Sequence, residues 1–288
     1  MPDIVQIRFD GDLVVDNRVS MRTLGNTLFY TQNALERAYL DIQRPGGVWK
    51  HARLKTTERE AVQFLIELPE PGSYLQRFIS ASELGRVIID RASAALQTAL
   101  DQATRQAEQE HRSWRDEVLS RRQQITQGTV TPRDYTDLRD NPDPRTVRAY
   151  GDKSIAKEFD NALRPIRSPS SGESQLDLTL SGTQTRTIPF DRNTSELLHQ
   201  AISTRQVGDP VIYEGQLHQL DHRNKKGKFD NTANNKTTSL LFSSDDDVDK
   251  VRNLLGQNPF AFIGCPVIEF GSFDPNAGDV LFIDLVGQ

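Results

Sequence analysis

The segment DHRNKKGKFDNTANNKTT, residues 221–238, concentrates cationic side chains in a chain whose formal net charge is −5. Its closely spaced cations and the ring that follows them are Arg223, Lys225, Lys226, Lys228 and Phe229. Cations of this kind bind phosphates, and a neighbouring aromatic ring can stack on a base. Lys, Asn and Gly are also the residues of a solvated turn, which is the favoured interpretation, and single-stranded nucleic acid or a nucleotide, or a protein surface, is the alternative ligand.

Three carboxylates near the N-terminus have the residue type that a metal-dependent nuclease requires. Asp10 ends the alternating segment IVQIRFD, and Glu67 and Glu70 follow the alternating segment AVQFLI. Nucleases of this kind hold divalent cations with converging carboxylates. Asp10, Glu67 and Glu70 are therefore the candidate catalytic residues, although 40 acidic residues in one chain make such spacing common.

The sequence carries none of the motifs that bind a cofactor or a structural metal. It has no P-loop, no G-x-G-x-x-G, no G-x-S-x-G and a single cysteine, Cys265. His218 and His222 would share one side of a strand, but without cysteines or an H-E-x-x-H helix they indicate a hydrogen-bonded or solvent-facing pair. We therefore expect no cofactor and no metal, and we favour a protein that is not an enzyme.

An N-terminal α+β part must position the carboxylates. The alternation in IVQIRFD predicts a strand, and the dipeptide Asp10-Gly11 predicts a two-residue hairpin turn after it. Ser20 is the predicted N-cap of a helix that runs to about Gln43. The segments HARLKTTE and AVQFLIELP predict further strands, which complete a small sheet against this helix.

A long helix is predicted to follow, and its composition changes along its length. It starts at Ser80 or Ser82 and is apolar through Leu100, whereas the stretch RQAEQEHRSWRDEVLSRRQQ, residues 105–124, is almost entirely charged or amide-bearing. Such a stretch either lies in solvent or packs along a partner helix. The N-terminal part is therefore expected to mediate self-association, as a homo-oligomer, or the docking of a protein partner.

The C-terminal part has the element order of a small barrel. The polar segment RSPSSGES, residues 167–174, predicts a linker between a domain at 1–166 and a β-rich domain at 175–288. After an initial hairpin and a short helix, the second domain continues as three strands, a helix and two strands. This is the order of an OB-type barrel, so the predicted fold class is α+β, with a small sheet and long helices followed by a five-stranded OB-like β-barrel.

In an OB-type barrel, the first and the last inter-strand loops flank the ligand face. The cationic segment is the first of these loops, and the last loop, GSFDPNAGD, supplies a second aromatic ring. The predicted ligand-binding residues are thus Arg223, Lys225, Lys226, Lys228, Phe229 and Phe273. Asp274 and Asp279 of the last loop would oppose a polyanion.

Composition places the chain among ordinary globular proteins. Its 288 residues predict two domains, and a mean hydropathy of −0.58 indicates a large polar surface or long exposed helices. Residues 175–288 hold 10 Lys and Arg against 15 Asp and Glu, so the acidic excess lies there and nonspecific adhesion to DNA is not expected. The lone cysteine predicts a cytoplasmic protein, and the absence of a long apolar segment or secretory signal predicts no membrane contact.

The two ends of the chain resemble one group of proteins. IVQIRFDG before a long helix, and VIYEGQLHQLD through VLFIDLV as a terminal small barrel, are similar to parts of uncharacterised bacterial two-domain proteins. The resemblance implies a bacterial accessory protein from a mobile or antiviral-defence gene neighbourhood, and it assigns no activity to any residue. We expect a nonenzymatic cytoplasmic binding or assembly protein, with single-stranded nucleic-acid or nucleotide binding and a metal-dependent nuclease as alternatives.

Overall fold

The computed structural model describes residues 3–45, 52–67, 74–106, 113–141 and 144–287. The chain forms two compact units, and each unit is built from two separate stretches. Unit 1 comprises Met1–Glu108 with Arg148–Thr204, and unit 2 comprises Gln109–Val147 with Arg205–Gln288.

The predicted division at residues 167–174 is wrong, because this segment lies inside unit 1. Its polar residues form an ordered turn rather than a linker. Ser171 is buried, and its hydroxyl lies 2.7 Å from the carbonyl oxygen of Ile166 and 2.6 Å from that of Ser168. The strand that follows pairs with the first strand of the chain. The chain therefore leaves unit 1 and returns to it, which no local composition indicates.

The elements are numbered in chain order. The strands are β1 (Ile4–Asp10), β2 (Val14–Val15), β3 (Arg18–Val19), β4 (Phe64–Ile66), β5 (Tyr74–Ser80), β6 (Arg133–Asp134), β7 (Gln175–Ser181), β8 (Thr185–Phe190), β9 (Arg205–Val207), β10 (Val211–Asp221), β11 (Lys226–Asn231), β12 (Lys236–Leu241), β13 (Phe260–Glu269) and β14 (Val280–Leu285). The helices are α1 (Met21–Gln43), α2 (Gly85–Gln106), α3 (Trp114–Thr126), α4 (Tyr135–Asp140), α5 (Pro144–Ala162), α6 (Arg164–Arg167), α7 (Arg192–Ser203) and α8 (Asp245–Arg252). Both units mix helices and strands, as the predicted α+β class requires. Among the described helices, none has the length and apolar character needed to cross a bilayer.

Unit 1 contains an antiparallel sheet with the strand order β4-β5-β1-β7-β8. Alternate residues of β1, namely Val5, Ile7 and Phe9, are buried because the period of two turns them to the core. The predicted helix α1 is confirmed, and its N-cap is Ser20, whose side chain accepts a hydrogen bond from the Thr23 amide.

The turn after β1 differs from the prediction. β1 ends at Asp10, but residues 11–13 form a short 3-10 helix, and β1 pairs with β5 and β7 instead of folding back. The tight turn lies between β2 and β3, where Asp16 and Asn17 have φ values of 50° and 57°. The described part of the predicted strand HARLKTTE contains a 3-10 helix, Thr56–Glu58, and no strand.

Three helices of unit 1 are joined by a buried ionic network. Arg91 on α2 is 8% exposed, and its guanidinium lies 2.6 Å from Asp41 on α1 and 2.7 Å from Asp152 on α5. The more exposed Arg148 lies 3.6 Å from Asp41. The Arg91 charge therefore compensates two carboxylates in a region that water hardly reaches.

Unit 2 contains a closed five-stranded β-barrel, β10-β11-β12-β14-β13, which closes where β13 pairs with β10. β12 and β14 are parallel, and the other neighbouring strands of the barrel are antiparallel. The predicted succession of three strands, a helix and two strands is confirmed, with α8 as the helix. The core is rich in aromatic rings, including Tyr213, Phe229, Phe262 and Phe282.

The predicted long helix is divided between the two units. α2 belongs to unit 1, whereas α3 begins in unit 2 with its own cap, since the Ser113 side chain accepts a hydrogen bond from the Asp116 amide. Val118 of α3 is buried and packs in one cluster with Cys265 and Leu281 of the barrel. The helix therefore has a packed apolar side that its polar sequence does not indicate.

Arg122 ties α3 to the rest of unit 2. Its guanidinium donates to the Ile283 carbonyl and pairs with Asp247 on α8. Asp247 is 1% exposed and also accepts a hydrogen bond from the Ser243 hydroxyl. Burial raises the pKa of Asp247, but the hydrogen bonds from Arg122 and Ser243 outweigh burial and leave this pKa below its ordinary value of 3.8.

We expect Asp247→Asn to reduce the loss of unit 2 stability in acid. A carboxylate whose folded pKa is depressed stabilises the fold above its unfolded pKa, and this contribution is lost as the pH falls through the folded pKa. At neutral pH the wild type should exceed the variant by about 1–3 kcal/mol in free energy of unfolding. The difference in free energy of unfolding should disappear as the pH falls below 3.8, the ordinary pKa of an aspartate. Urea unfolding over the acid range measures it, and a difference that does not change with pH would contradict the prediction.

Candidate ligand-binding site

The outer surface of the barrel has a covered side and an open side. On the side of β12, β14 and β13, Leu241, Cys265 and Leu281 are buried in one cluster with Val118 of α3. The other side is formed by β10, β11 and β12, and its outward side chains are called the open face below. They are Glu214, Gln216, His218, Gln219, Lys226, Lys228, Asp230, Thr237 and Ser239.

Two lysines of β11 lie at the centre of the open face. Gly227 and Phe229 are buried, so the alternation along the strand turns Lys226 and Lys228 outward. Lys228 lies opposite Ser239 on β12. Neither lysine forms an ion pair within the part of the chain that the structure describes. The open face therefore presents both ammonium groups to solvent.

The turn before β11 holds the other two predicted cations. Asp221 accepts hydrogen bonds from the side chain and the amide of Asn224, at 2.7 and 3.0 Å, and these bonds lower the pKa of Asp221. Lys225 has a φ of 51°, and its Nζ lies 3.5 Å from Asp245 Oδ1 on α8. Arg223 is exposed. Of these two cations, Arg223 is therefore the one better placed to contact a ligand.

Polar groups that sequence reasoning missed surround the lysines. His218 Nδ1 lies 3.0 Å from Asp230 Oδ2, and the Thr237 hydroxyl donates to Asp230 Oδ1 at 2.7 Å. Asp230 is thus engaged by its neighbours, while Gln216 and Ser239 add neutral hydrogen-bonding groups. The alternation of apolar and polar residues along β10 is the signal that could have identified Gln216 and His218. β12 begins with four consecutive polar residues, so its sequence gives no such signal for Thr237 and Ser239.

The two predicted stacking rings are not available on the surface. Phe229 is fully buried, and its ring packs edge-on against Phe262 with the centroids 5.0 Å apart. Phe273 is 6% exposed and belongs to the same core cluster. Both predictions as base-stacking residues are therefore wrong. The physical reason is that the inward positions of a small barrel must be filled, and large rings fill them.

The candidate nuclease carboxylates are not brought together. Asp10 ends β1 and lies 2.9 Å from the guanidinium of Arg8. Glu67 follows β4, and its amide donates a hydrogen bond to the Arg77 carbonyl on β5. Arg77 in turn pairs with Gln6 on β1. Gln6 lies four residues from Asp10, which is about 13 Å of strand. The prediction of a joint metal site is therefore wrong for Asp10 and Glu67, and Glu70 lies outside the described residues. Within those residues, no group of three His, Cys, Asp or Glu side chains could hold a metal ion.

Comparisons with known proteins assign no function. No family model matches the chain, and no curated protein matches it. Among solved structures, one similar chain comes from a mutant of the ferredoxin protease FusC in complex with Arabidopsis ferredoxin. The two chains are 12% identical with a TM-score of 0.17, over 83% of this chain and 28% of that chain. This chain thus spans less than a third of the other, and the likeness carries no conclusion about fold or function.

Proposed function

We propose that this protein is a nonenzymatic binding protein and that its barrel binds single-stranded nucleic acid along the open face. The strand order supports this, because β10 to β14 pair in the order of the five strands of an OB-fold, with α8 between the third and the fourth. In OB-folds, the face of the second and third strands and the flanking loops bind oligonucleotides. β11 and β12 take those places in this correspondence.

The observation that carries the proposal is the pair of outward lysines on β11. Lys226 and Lys228 stand on the strand that would contact the ligand, and Arg223 lies in the turn before it. Two residues of strand separate the lysines by about 7 Å, so both can contact the backbone of one extended ligand.

Phosphate contacts rather than stacking would supply most of the affinity, because the open face as defined contains no Phe, Tyr or Trp side chain. Three cations predict weak, sequence-independent binding that falls with salt. Glu214, Asp221 and Asp230 in the same region would reduce the affinity further. A lone nucleotide offers fewer phosphates and depends more on stacking, so a single strand is the better-supported ligand.

Self-association or the docking of a protein partner through the N-terminal part stays a prediction, as do the cytoplasmic location and the bacterial defence role. The prediction of self-association rests on the polar stretch at residues 105–124. Part of this stretch is α3, whose Val118 packs against the barrel. Exposed apolar side chains of unit 1, namely Phe29, Leu65 and Ile66, offer other contacts. A metal-dependent nuclease is not proposed, since Asp10 and Glu67 do not converge.

Replacing Lys226 and Lys228 together with alanine should weaken the binding of a fluorescent oligothymidylate. For a strand of about 12 nucleotides at low salt, we expect a loss of roughly tenfold, because each lysine removed deletes one phosphate contact and its counterion release. Fluorescence anisotropy measures the dissociation constant directly.

The matched control replaces Lys157 and Arg186 with alanine. Both residues are exposed in unit 1, and the change in net charge is the same. Affinity should stay close to that of the wild type. Equal losses in the two double variants would show that overall charge, and not the open face, sets the affinity.

A further inference from the structure

A second candidate site lies in unit 2, where β10 begins and β13 ends. There a cavity of about 300 Å³ has an apolar floor and a charged rim. The residues that set this character are Val211, Ile268 and Phe273 on the floor and Arg133, Asp137 and Asp209 on the rim. The volume is at the lower end of the range for small-molecule sites. The cavity is separate from the lysines of the open face, because Lys226 pairs with β10 at its other end.

Hydrogen bonds fix the loop after β13, which forms one wall of the cavity. Asp274 is buried and accepts hydrogen bonds from two amides of its own loop, so it does not stand at the rim of the open face as predicted. Tyr135 donates its hydroxyl to the Pro275 carbonyl at 2.6 Å. Gly278 leaves room for the Phe273 ring, since a Cβ there would lie 2.3 Å from a ring carbon. The cavity is therefore preformed, which reduces the entropy that a ligand loses on binding.

The charges on the rim favour a cation. Arg133 and Asp209 form an ion pair at 2.9 Å, so their charges largely cancel. Asp137 is exposed, and its carboxylate has no ion pair or hydrogen bond among the described residues. One guanidinium and two carboxylates leave a net charge of −1 around an apolar floor. The net negative charge of the rim would repel an anionic ligand, whereas a cation could form an ion pair with the carboxylate of Asp137.

We propose that this cavity binds a small organic cation, with an apolar ring or short chain against the floor and a primary ammonium group at Asp137. The volume accommodates a single ring with a short side chain. This proposal and the one for the open face are independent, because the two sites and the charges of the two ligands differ.

Three probes with the same ring test the proposal: phenethylamine, phenethyl alcohol and 3-phenylpropionate. They differ chiefly in the charge of the end group, so a comparison of their affinities measures the effect of the charged rim. In titrations followed by amide NMR spectra, the amine should bind roughly fivefold or more tightly than the alcohol, and the propionate weakest of the three. The shifted amides should lie around Val211 and Ile268.

Variants connect this preference to the cavity. Asp137→Asn should reduce the preference for the amine over the alcohol, and Ile268→Trp, which fills the cavity, should abolish the binding of both. Glu214→Gln removes an exposed carboxylate of β10 outside the cavity and should change nothing. Equal binding of the three probes, no binding of the amine, or amine binding that survives in a folded Ile268→Trp variant would overturn the proposal.

Discussion

Replacing Arg91 with alanine should lower the free energy of unfolding of unit 1 by about 3–5 kcal/mol. The substitution leaves Asp41 and Asp152, whose side chains are 11% and 10% exposed, without their closest positive charge. A buried carboxylate that has lost its partner retains the free-energy cost of desolvation, and the ion pair that offset this cost is absent. Urea unfolding followed by far-ultraviolet circular dichroism measures the loss, because unit 1 contributes the helices that the network joins.

Two controls make this result interpretable. Arg148→Ala should cost less than about 1 kcal/mol, since its side chain is 59% exposed and lies farther from both carboxylates. Arg91→Met combined with Asp41→Asn and Asp152→Asn should recover much of the lost stability, because no buried charge remains unpaired. Similar losses from Arg91→Ala and Arg148→Ala would mean that solvent screens the whole network.

Replacing Phe229 with alanine should destabilise unit 2 by about 3–5 kcal/mol, the usual cost of removing a buried phenylalanine ring. Its ring contacts Phe260 and Phe262 inside the barrel, and the substitution would leave a cavity there. The lone cysteine, Cys265, reports on unit 2 alone. It is fully buried, and burial raises the pKa of its thiol to about 12, so it should react with a thiol reagent only when the barrel opens. The rate of labelling in urea therefore measures the loss.

The matched substitution is Leu255→Ala, which removes a side chain that is 40% exposed in the same unit. It should cost well under about 2 kcal/mol. If Phe229→Ala instead left the labelling of Cys265 unchanged and weakened oligonucleotide binding, the ring would be a surface platform, and its assignment to the core would be wrong.

Elements that carry their own local signal could be predicted from the sequence. The helix after Ser20 begins with a side-chain cap, β10 and β11 alternate between inward and outward residues, and β13 and β14 are short apolar runs. The order of these elements could therefore be predicted. The division into units was not visible, because it depends on pairing between distant strands. Ile4 pairs with Ser181, and nothing in either segment specifies the other.

The candidate site could be predicted only where a local sequence signal exists. Lys226 and Lys228 were identified from their charge, and the alternation within β11 already places Phe229 on the opposite side from them. Because unpaired lysines are hardly ever buried, the same alternation also turns Phe229 to the core, so the sequence already argued against its role as a stacking residue. What no local pattern specifies is the closure of the barrel, where β13 pairs with β10. The pairing of Lys225 with Asp245 likewise depends on where α8 packs.

The most direct test of nucleic-acid binding by the open face is the salt dependence of oligothymidylate affinity, measured for the wild type and for the variant with alanine at Lys226 and Lys228. With three cations in contact with phosphates, the logarithm of the binding constant should fall with the logarithm of salt concentration with a slope of about −2, and the variant should show about −0.7. An identical slope in both proteins, or no binding by the wild type at low salt, would contradict a role for these lysines in nucleic-acid binding.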